Sequence, residues 1–460
     1  MLRGTVEAVA NESPWLLLPV ETKAREFHAK LLLAALAVER GYRVVLGEQN
    51  AMVRQIAHLP RGLYVDKSIA KTKTKHFQRL RQQGNKVAAW CEEGLVYRDR
   101  DAYLRQRIDL ASLAEAERFF CWGAVQRADI AAKAGKDEAK LVATGNPRFD
   151  LLRPDYRGLF ADEAQALRDR HGDFILINTN FARYNHFYGE DYLLQSQRQR
   201  GTVAGAEDEA FLLAWRDFLG RMYHGFAAML EPLSKAFPQH RIILRPHPSE
   251  NHQRWMGECD GLDNVSVEFS GNVVPWLLAA QVLVHNSCTT GLEGYLLDCP
   301  VIAYQPVQSA VYDSYLPNVV SHAVRETAPL IEGVRAALAG QVMDGGAAGR
   351  AAAAEYYAAL DGAEAGERVL DAIDGLDLTL PQPSGPGHAL GRLSGYLTIP
   401  ARDLARRVLR PQIADYAQQK FPGLDLDEMR RELARLSAAS GRFAGIHVAP
   451  LAHQCYGLAA

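Results

Sequence analysis

Arg245-Pro246-His247-Pro248 puts a guanidinium and an imidazole directly after the apolar run Arg241–Leu244. Each proline restricts the residue before it to extended backbone, so His247 is held rigidly. An imidazole fixed in this way can donate to a phosphate oxygen, and Arg245 can add charge. The bland use of the segment is a stiff turn. A second candidate runs from His285 to Gly294 (H-N-S-C-T-T-G-L-E-G). The Asn286 amide, the hydroxyls of Ser287, Thr289 and Thr290, and the free N–H groups of a helix start suit an anion. Gly291 and Gly294 would let a ligand approach the backbone closely. Thr290 and Glu293 fit a capping box; Glu293 serves either as that cap or as a contact to a ribose hydroxyl.

Cys91-Glu92-Glu93-Gly94 offers two adjacent carboxylates. Glu92 or Glu93 could take a proton from an acceptor hydroxyl, or form an ordinary acidic loop. Asn178 and Asn180 suit contacts to a phosphate or sugar, or simple turn chemistry. Glu21, Lys23, Arg25 and Glu26 follow the first apolar run, and Lys67 and Lys71 lie in a basic loop. Lys23, Arg25, Glu26, Lys67 and Lys71 are candidates for holding an acceptor, with a solvated charged face as the alternative. Asp99-Arg100-Asp101 has the spacing of a metal-binding pair but sits among arginines, which favours ion pairing. The 6 cysteines are scattered and predict neither a zinc site nor a disulfide framework. No Gly-x-Gly-x-x-Gly follows the first apolar run and there is no Walker loop, which disfavours nicotinamide and ATP chemistry.

The elements that must position these groups alternate in type. Short apolar runs at Trp15–Val20, Arg43–Leu46, Gly62–Val65, Lys86–Trp90, Arg118–Trp122 and Leu141–Thr144 predict strands, with a helix at Arg25–Arg40 ended by Gly41. A second series predicts strands at Phe174–Asn178, Arg241–Leu244, Val265–Phe269, Gln281–His285 and Val301–Tyr304, with a long helix at Asp208–Ala236 and a mobile loop at Gln195–Glu209. Such alternation means parallel sheets covered on both faces. The chain therefore reads as α/β: a Rossmann-like domain over 1–155, another over 156–345, and a helical extension over 346–460. Ligands of such sheets bind outside the C-terminal ends of strands, where the clusters at 245–248, 285–294, 91–94 and 178–180 fall.

The chain has 460 residues, enough for two cores. Its formal net charge of -2 gives no global basic field, so nucleic acid is not an expected partner. No apolar run is long enough for a bilayer span, and Met1–Pro14 lacks a secretory pattern, so the expected location is cytoplasmic. The stretch Ala401–Ala438, with Arg402, Arg406, Arg407 and Arg410, reads as a helix packed on the body or as one touching a membrane surface.

Taken together, Glu21-to-Glu26 (E-T-K-A-R-E), Glu92-Glu93-Gly94-Leu95, Gly145-to-Asp150 (G-N-P-R-F-D), Arg245-to-Pro248 and Ser287-to-Gly294 resemble the bacterial surface carbohydrate biosynthesis proteins. These capsule and lipopolysaccharide enzymes are related to transferases of 3-deoxy-D-manno-octulosonic acid (Kdo) and to polysialyltransferases. The resemblance covers residues 15 to 310. It implies a GT-B fold of two Rossmann-like domains facing a cleft. It also implies transfer of an acidic sugar from a CMP-sugar donor to a polysaccharide or glycolipid acceptor, without a metal or other cofactor. The second domain would bind the donor: His247, Ser287, Thr289 and Thr290 at the phosphate, with Arg245, Pro248, Asn286, Gly291, Glu293, Asn178 and Asn180 around it. Glu93 or Glu92 would act on the acceptor or at the anomeric carbon, as base or as nucleophile. The chain departs from the polysialyltransferase pattern in reading Ser287-Cys288-Thr289-Thr290, which leaves the contacting hydroxyl open. A surface-glycan role implies peripheral contact with the cytoplasmic face of the inner membrane. A nucleotide-sugar 2-epimerase, a glycerophosphate transferase and a non-catalytic assembly protein are the alternatives. An epimerase would prefer UDP-sugars and need no acceptor, and a scaffold would bind without releasing nucleotide.

Overall fold

The computed structural model describes residues 13–97, 99–199, 203, 205–409, 418 and 420–460. The chain forms two compact units. The first is built from the chain up to Leu95, from Ala102–Leu159 and from Tyr356–Ala460; the second from Val96–Asp101 and Phe160–Glu355.

In the first unit, β1 (Trp15–Val20), β2 (Arg43–Glu48), β3 (Leu63–Asp66), β4 (Lys86–Trp90), β5 (Arg118–Cys121) and β6 (Leu141–Ala143) are all parallel, in the order β2-β1-β3-β4-β5-β6. All six residues of β1 are buried, as a central strand covered on both faces requires. Helix α1 (Lys23–Glu39) follows it and ends in a Schellman motif. The N–H of Gly41 bonds to the Val38 carbonyl and that of Tyr42 to the Ala37 carbonyl, each at 2.9 Å, with Gly41 at φ +89°.

In the second unit, β7 (Phe174–Asn178), β8 (Arg241–Arg245), β9 (Val265–Val267), β10 (Val282–His285), β11 (Val301–Tyr304) and β12 (His322–Val324) form a wholly parallel sheet, in the order β12-β11-β10-β7-β8-β9. The long helix α2 (Ala206–Ala236) packs Met222, Phe226 and Leu230 into a core shared with Ile177, Leu244 and Trp255. Two Rossmann-like parallel sheets in one chain are the makeup of a GT-B fold. Helix α3 (Thr290–Leu296) follows β10. The loop expected over 195–209 is in part helical, with Tyr192–Gln199 forming a short helix; residues 200–202 and 204 lie outside the described residues, as do Arg98 and Arg410.

Residues 346–460 are not a separate helical extension. From Tyr356 onward the chain belongs to the first unit. Helices α4 (Ala365–Asp374), α5 (Pro386–Leu409) and α6 (Leu426–Ser440) are followed by β13 (His447–Ala452) and β14 (Cys455–Ala459). Strand β14 pairs antiparallel with β2, and β13 with β14, so the chain covers an edge that β2 would otherwise expose. Asp150, the last residue of G-N-P-R-F-D, anchors this return. It is fully buried and accepts the N–H groups of Ala365 (2.8 Å) and Gly366 (2.7 Å) at the start of α4.

Candidate functional site

Both sheets reverse their strand order once. In the second unit the reversal lies between β7 and β10, where connections leave in opposite directions and open a crevice at the strand ends. Asn178 closes β7 there, in register with Arg245 of β8 and His285 of β10. Beyond the strands, Asn286 Oδ1 accepts the Asn180 N–H (2.8 Å), and Asn286 Nδ2 donates to the Asn180 carbonyl (3.4 Å). The asparagines at these two strand ends thus tie the crevice together.

His285 is fully buried, and burial pushes its imidazole down to about 3, so it is neutral. Its Nδ1 accepts the Cys288 N–H (3.3 Å), so Nε2 carries the proton and donates to Ser321 Oγ (2.8 Å), which donates to the Pro317 carbonyl (2.7 Å). The turn after it holds Ser287 at φ +53°. That left-handed conformation costs a non-glycine residue on the order of 1 kcal/mol. Ser287 Oγ accepts from Asn318 Nδ2 (2.9 Å), so this hydroxyl is used within the protein.

The expected capping box is absent. Thr289 is the N-cap, in helical conformation and without a side-chain cap, and Thr290 is already helical. The helix begins one residue earlier than a Thr290 cap would place it, which carries Thr290 out of capping position. Gly291 and Gly294 also serve the interior. A Cβ on Gly291 would collide with the His285 ring, and one on Gly294 would lie 2.9 Å from Val301 Cγ1. Helix α3 therefore packs directly on the sheet through its glycines.

Arg245 donates through one terminal nitrogen to the Gly271 carbonyl (2.7 Å). Burial pushes its guanidinium down from the ordinary value, while the nearby Glu293 carboxylate supports its charge. His247 and Pro248 are exposed on the following loop. Ser249 N–H donates to His247 Nδ1 (3.1 Å), which places the proton of the neutral ring on Nε2. Sequence reasoning missed what holds this loop. Glu250 is fully buried and accepts from Thr179 Oγ1 (2.9 Å), Phe181 N–H (3.0 Å), His247 N–H (3.1 Å) and Trp255 Nε1 (2.8 Å). Burial raises its pKa, and the four donors oppose that rise.

Several buried polar atoms here have no hydrogen-bond partner among the described residues: Asn178 Nδ2 and Oδ1, Arg245 Nε and Asn318 Oδ1. An open cavity of about 550 Å³ adjoins Asn318, lined also by Gln308, Ser309, Asp313 and Tyr315. That volume lies in the range of small-molecule sites. These residues follow β11 in a stretch without any of the marked motifs, so sequence inspection passed over them.

In the first unit the reversal lies between β1 and β3, and it is bridged by an ion pair of Glu21 with Lys67. Lys420 also pairs with Glu21 (2.8 Å). Burial, Lys420 and Lys73 together bring the Lys67 amine down to about 8, against the pull of Glu92 and Glu93. Glu92 accepts from Trp90 Nε1 (2.6 Å). Glu93 is exposed and pairs with Arg25 (2.6 Å). Its surroundings push the carboxyl up by desolvation, but Arg25, Arg107 and Arg148 outweigh this and hold it at about 2. Gly94 has no room for a Cβ, which would strike the Gln126 amide.

Two expected acceptor residues face elsewhere. Glu26 is buried at 4% exposure; it accepts the N–H groups of Glu21 (3.1 Å) and Thr22 (3.2 Å) and pairs with buried Lys30 (2.9 Å). It locks the β1–α1 turn, and the Glu26–Lys30 spacing of i, i+4 was the available signal. Lys23 bonds to the Gly423 carbonyl and to Glu428 (2.6 Å). Arg25, Lys67, Glu92 and Glu93 remain at the strand ends, and Lys71 lies exposed in a 3₁₀ turn beyond β3. The cavity lined by Arg25, Glu26, Lys30, Trp90, Asn146 and Arg148 is only about 10 Å³, room for one water and no sugar. Among the described residues no group of three or more His, Cys, Asp or Glu is arranged to hold a metal ion.

No protein-family model matches the chain, and no curated protein matches it. Among solved structures it is similar to the UDP-GlcNAc 2-epimerase of Methanocaldococcus jannaschii in complex with UDP-GlcNAc and UDP, at 13% identity over 78% of this chain and 99% of that one, with a TM-score of 0.48. It is similar to the UDP-GlcNAc 2-epimerase of Neisseria meningitidis bound to UDP-GlcNAc, at 11% identity over 79% of this chain and 100% of that one, TM-score 0.48. It is also similar to the wall teichoic acid polymerase TagF, at 9% identity over 81% of this chain and 92% of that one, TM-score 0.47. At these identities the likeness is one of chain architecture alone.

Proposed function

We propose that the protein is a nucleotide-sugar-dependent glycosyltransferase whose second unit binds the donor at the crevice between β7 and β10. The observation that carries this reading is the set of buried, unpartnered polar atoms on Asn178 and Arg245. Leaving a buried polar group unsatisfied costs about 1–3 kcal/mol. A ligand rich in phosphate and hydroxyl oxygens would satisfy donors and acceptors alike. His247, exposed on the loop after β8, would donate to the donor phosphate, and Arg245 would offset the charge that develops on the departing nucleotide. The cavity beside Asn318 has room for the nucleoside.

On this reading the donor is a CMP-activated acidic sugar, supported by the motif resemblance, and the acceptor is a surface glycan or glycolipid met by the first unit. Glu92 is the better candidate for the base that takes the acceptor proton. Glu93 is already neutralised by Arg25, and a carboxyl held near 2 is a weak base. Glu93 would instead orient the acceptor through Arg25. Calorimetric titration with CMP, CDP and UDP tests the donor class: preference for UDP would sink the CMP assignment. Nucleotide-release assays on His247→Ala and Glu92→Gln test the chemistry, and near-normal turnover in both would overturn it.

A further inference from the structure

Helix α5 (Pro386–Leu409) lies on the first unit with one face fixed and the opposite face bare. The fixed face is set by glycine. A Cβ on Gly391 would strike the His58 ring, and one on Gly395 would strike the Gln55 side chain. Arg392 donates to the His58 carbonyl (2.9 Å), Ile399 is buried, and Asp403 pairs with Arg54 (3.4 Å). At about 100° per residue, Gly391, Gly395 and Ile399 form one stripe. Leu390, Leu393, Leu397, Leu404 and Val408 fall within roughly 80° of one another on the other side. Their exposures run from 62% at Leu393 to 77% at Leu397.

Five large apolar side chains in one exposed line form a contiguous patch of the kind that marks an interaction surface. The helix carries more base than acid. Arg402 and Arg407 are exposed on this helix, and its single acid, Asp403, is taken by Arg54. A negatively charged, apolar-cored surface answers that pattern. A second copy of the helix would bring the same arginines against a single half-exposed acid, Asp403, that already lies beside Arg54.

We propose that α5 is a membrane-surface anchor that lays Leu390, Leu393, Leu397, Leu404 and Val408 into the headgroup–acyl boundary of a bilayer containing anionic phospholipid, with Arg407 at the edge of the stripe reaching the phosphates and the basic charge of the helix adding attraction. No described helix is long and apolar enough to cross a membrane, so the contact is in-plane. It names the surface on which a glycolipid acceptor would be met, yet it does not depend on the donor chemistry.

The test is co-flotation of the full chain with vesicles of phosphatidylcholine, with and without phosphatidylglycerol, in the absence of any nucleotide sugar. The wild type should float with the anionic vesicles, and L397D/L404D should lower the bound fraction about tenfold. R402Q/R407Q should keep the apolar stripe but lose most of the preference for anionic lipid and its salt sensitivity. Unchanged helical circular dichroism shows that the variants are folded. Equal flotation of wild type and L397D/L404D, or no flotation of wild type, would overturn the proposal. So would a lipid-free dimer, seen by light scattering, that L397D/L404D dissolves. A chain that floats but fails to bind nucleotide would count against the donor assignment and leave the anchor standing.

Discussion

The N–H of His247 donates to the buried Glu250 carboxylate at 3.1 Å, and the N–H of Glu250 donates back to the His247 carbonyl at 2.8 Å. The exposed imidazole therefore stands on a buried acid that also grips Thr179, Phe181 and Trp255. Glu250→Ala would strand several donors at once and should destabilise the second unit by about 3 kcal/mol. Glu250→Gln keeps one acceptor oxygen but turns an amide N–H toward Trp255 or the loop. It should cost about 1–2 kcal/mol and weaken nucleotide binding more than folding. Chemical denaturation beside calorimetric titration separates the two effects; a variant with normal affinity and lowered stability would reduce Glu250 to a structural part.

Asn178 supports a prediction of opposite sign for stability and binding. Its amide is buried and without a partner among the described residues. Asn178→Leu, with the same branched heavy-atom skeleton, removes that penalty and should raise the stability of the free protein by about 1 kcal/mol. The same change should weaken nucleotide-sugar binding about tenfold or more. A loss of stability would show that the amide belongs to the fold.

Arg25 sets the charge state of Glu93. Replacing it with methionine removes the partner at 2.6 Å and should let the Glu93 carboxyl climb from about 2 toward the ordinary carboxylate range. Carboxyl NMR titration of wild type and Arg25→Met reads this directly. If the Glu93 resonance titrates alike in both, the remaining arginines carry the effect.

Glu432 on α6 gives a stability window in pH. A hydrogen bond with His28, followed by the charge of Arg435, brings its carboxyl from 4.5 down to about 2. A depressed acid stabilises the folded state above its unfolded pKa and loses that contribution as pH falls. The loss should occur between about pH 4.5 and 2 and amount to no more than about 3 kcal/mol. Glu432→Gln should flatten the fall of the melting temperature across that window while lowering it at neutral pH.

The sequence was legible wherever one local rule decided the outcome. Trp15–Val20 and Phe174–Asn178 are apolar runs bounded by polar residues, and both are strands over those residues. Gly41 closes α1 because a Schellman turn needs a left-handed residue there. Outcomes set by distant partners were not legible. Glu26 and Glu93 look alike as acids after a strand, yet one is buried against Lys30 and the other is exposed against Arg25. Glu250 reads as one more loop charge until its burial is seen. Strand β13 carries Pro450, and it and β14 are held through the pairing of β14 with β2. The Thr290–Glu293 spacing was sound as a local signal, but the helix begins one residue too early for Thr290 to cap it.

The antiparallel addition of β14 to β2 has a bearing on how the chain is made. Its second unit is almost contiguous, from Phe160 to Glu355, whereas the first needs residues on both sides of it. A ribosome delivers β2 long before Cys455–Ala459, so the nascent first sheet waits with an open flank while the second unit can close on itself. That interval exposes Arg43–Glu48 to pairing with other chains. Truncations that remove β14 should therefore show their effect first as aggregation during synthesis.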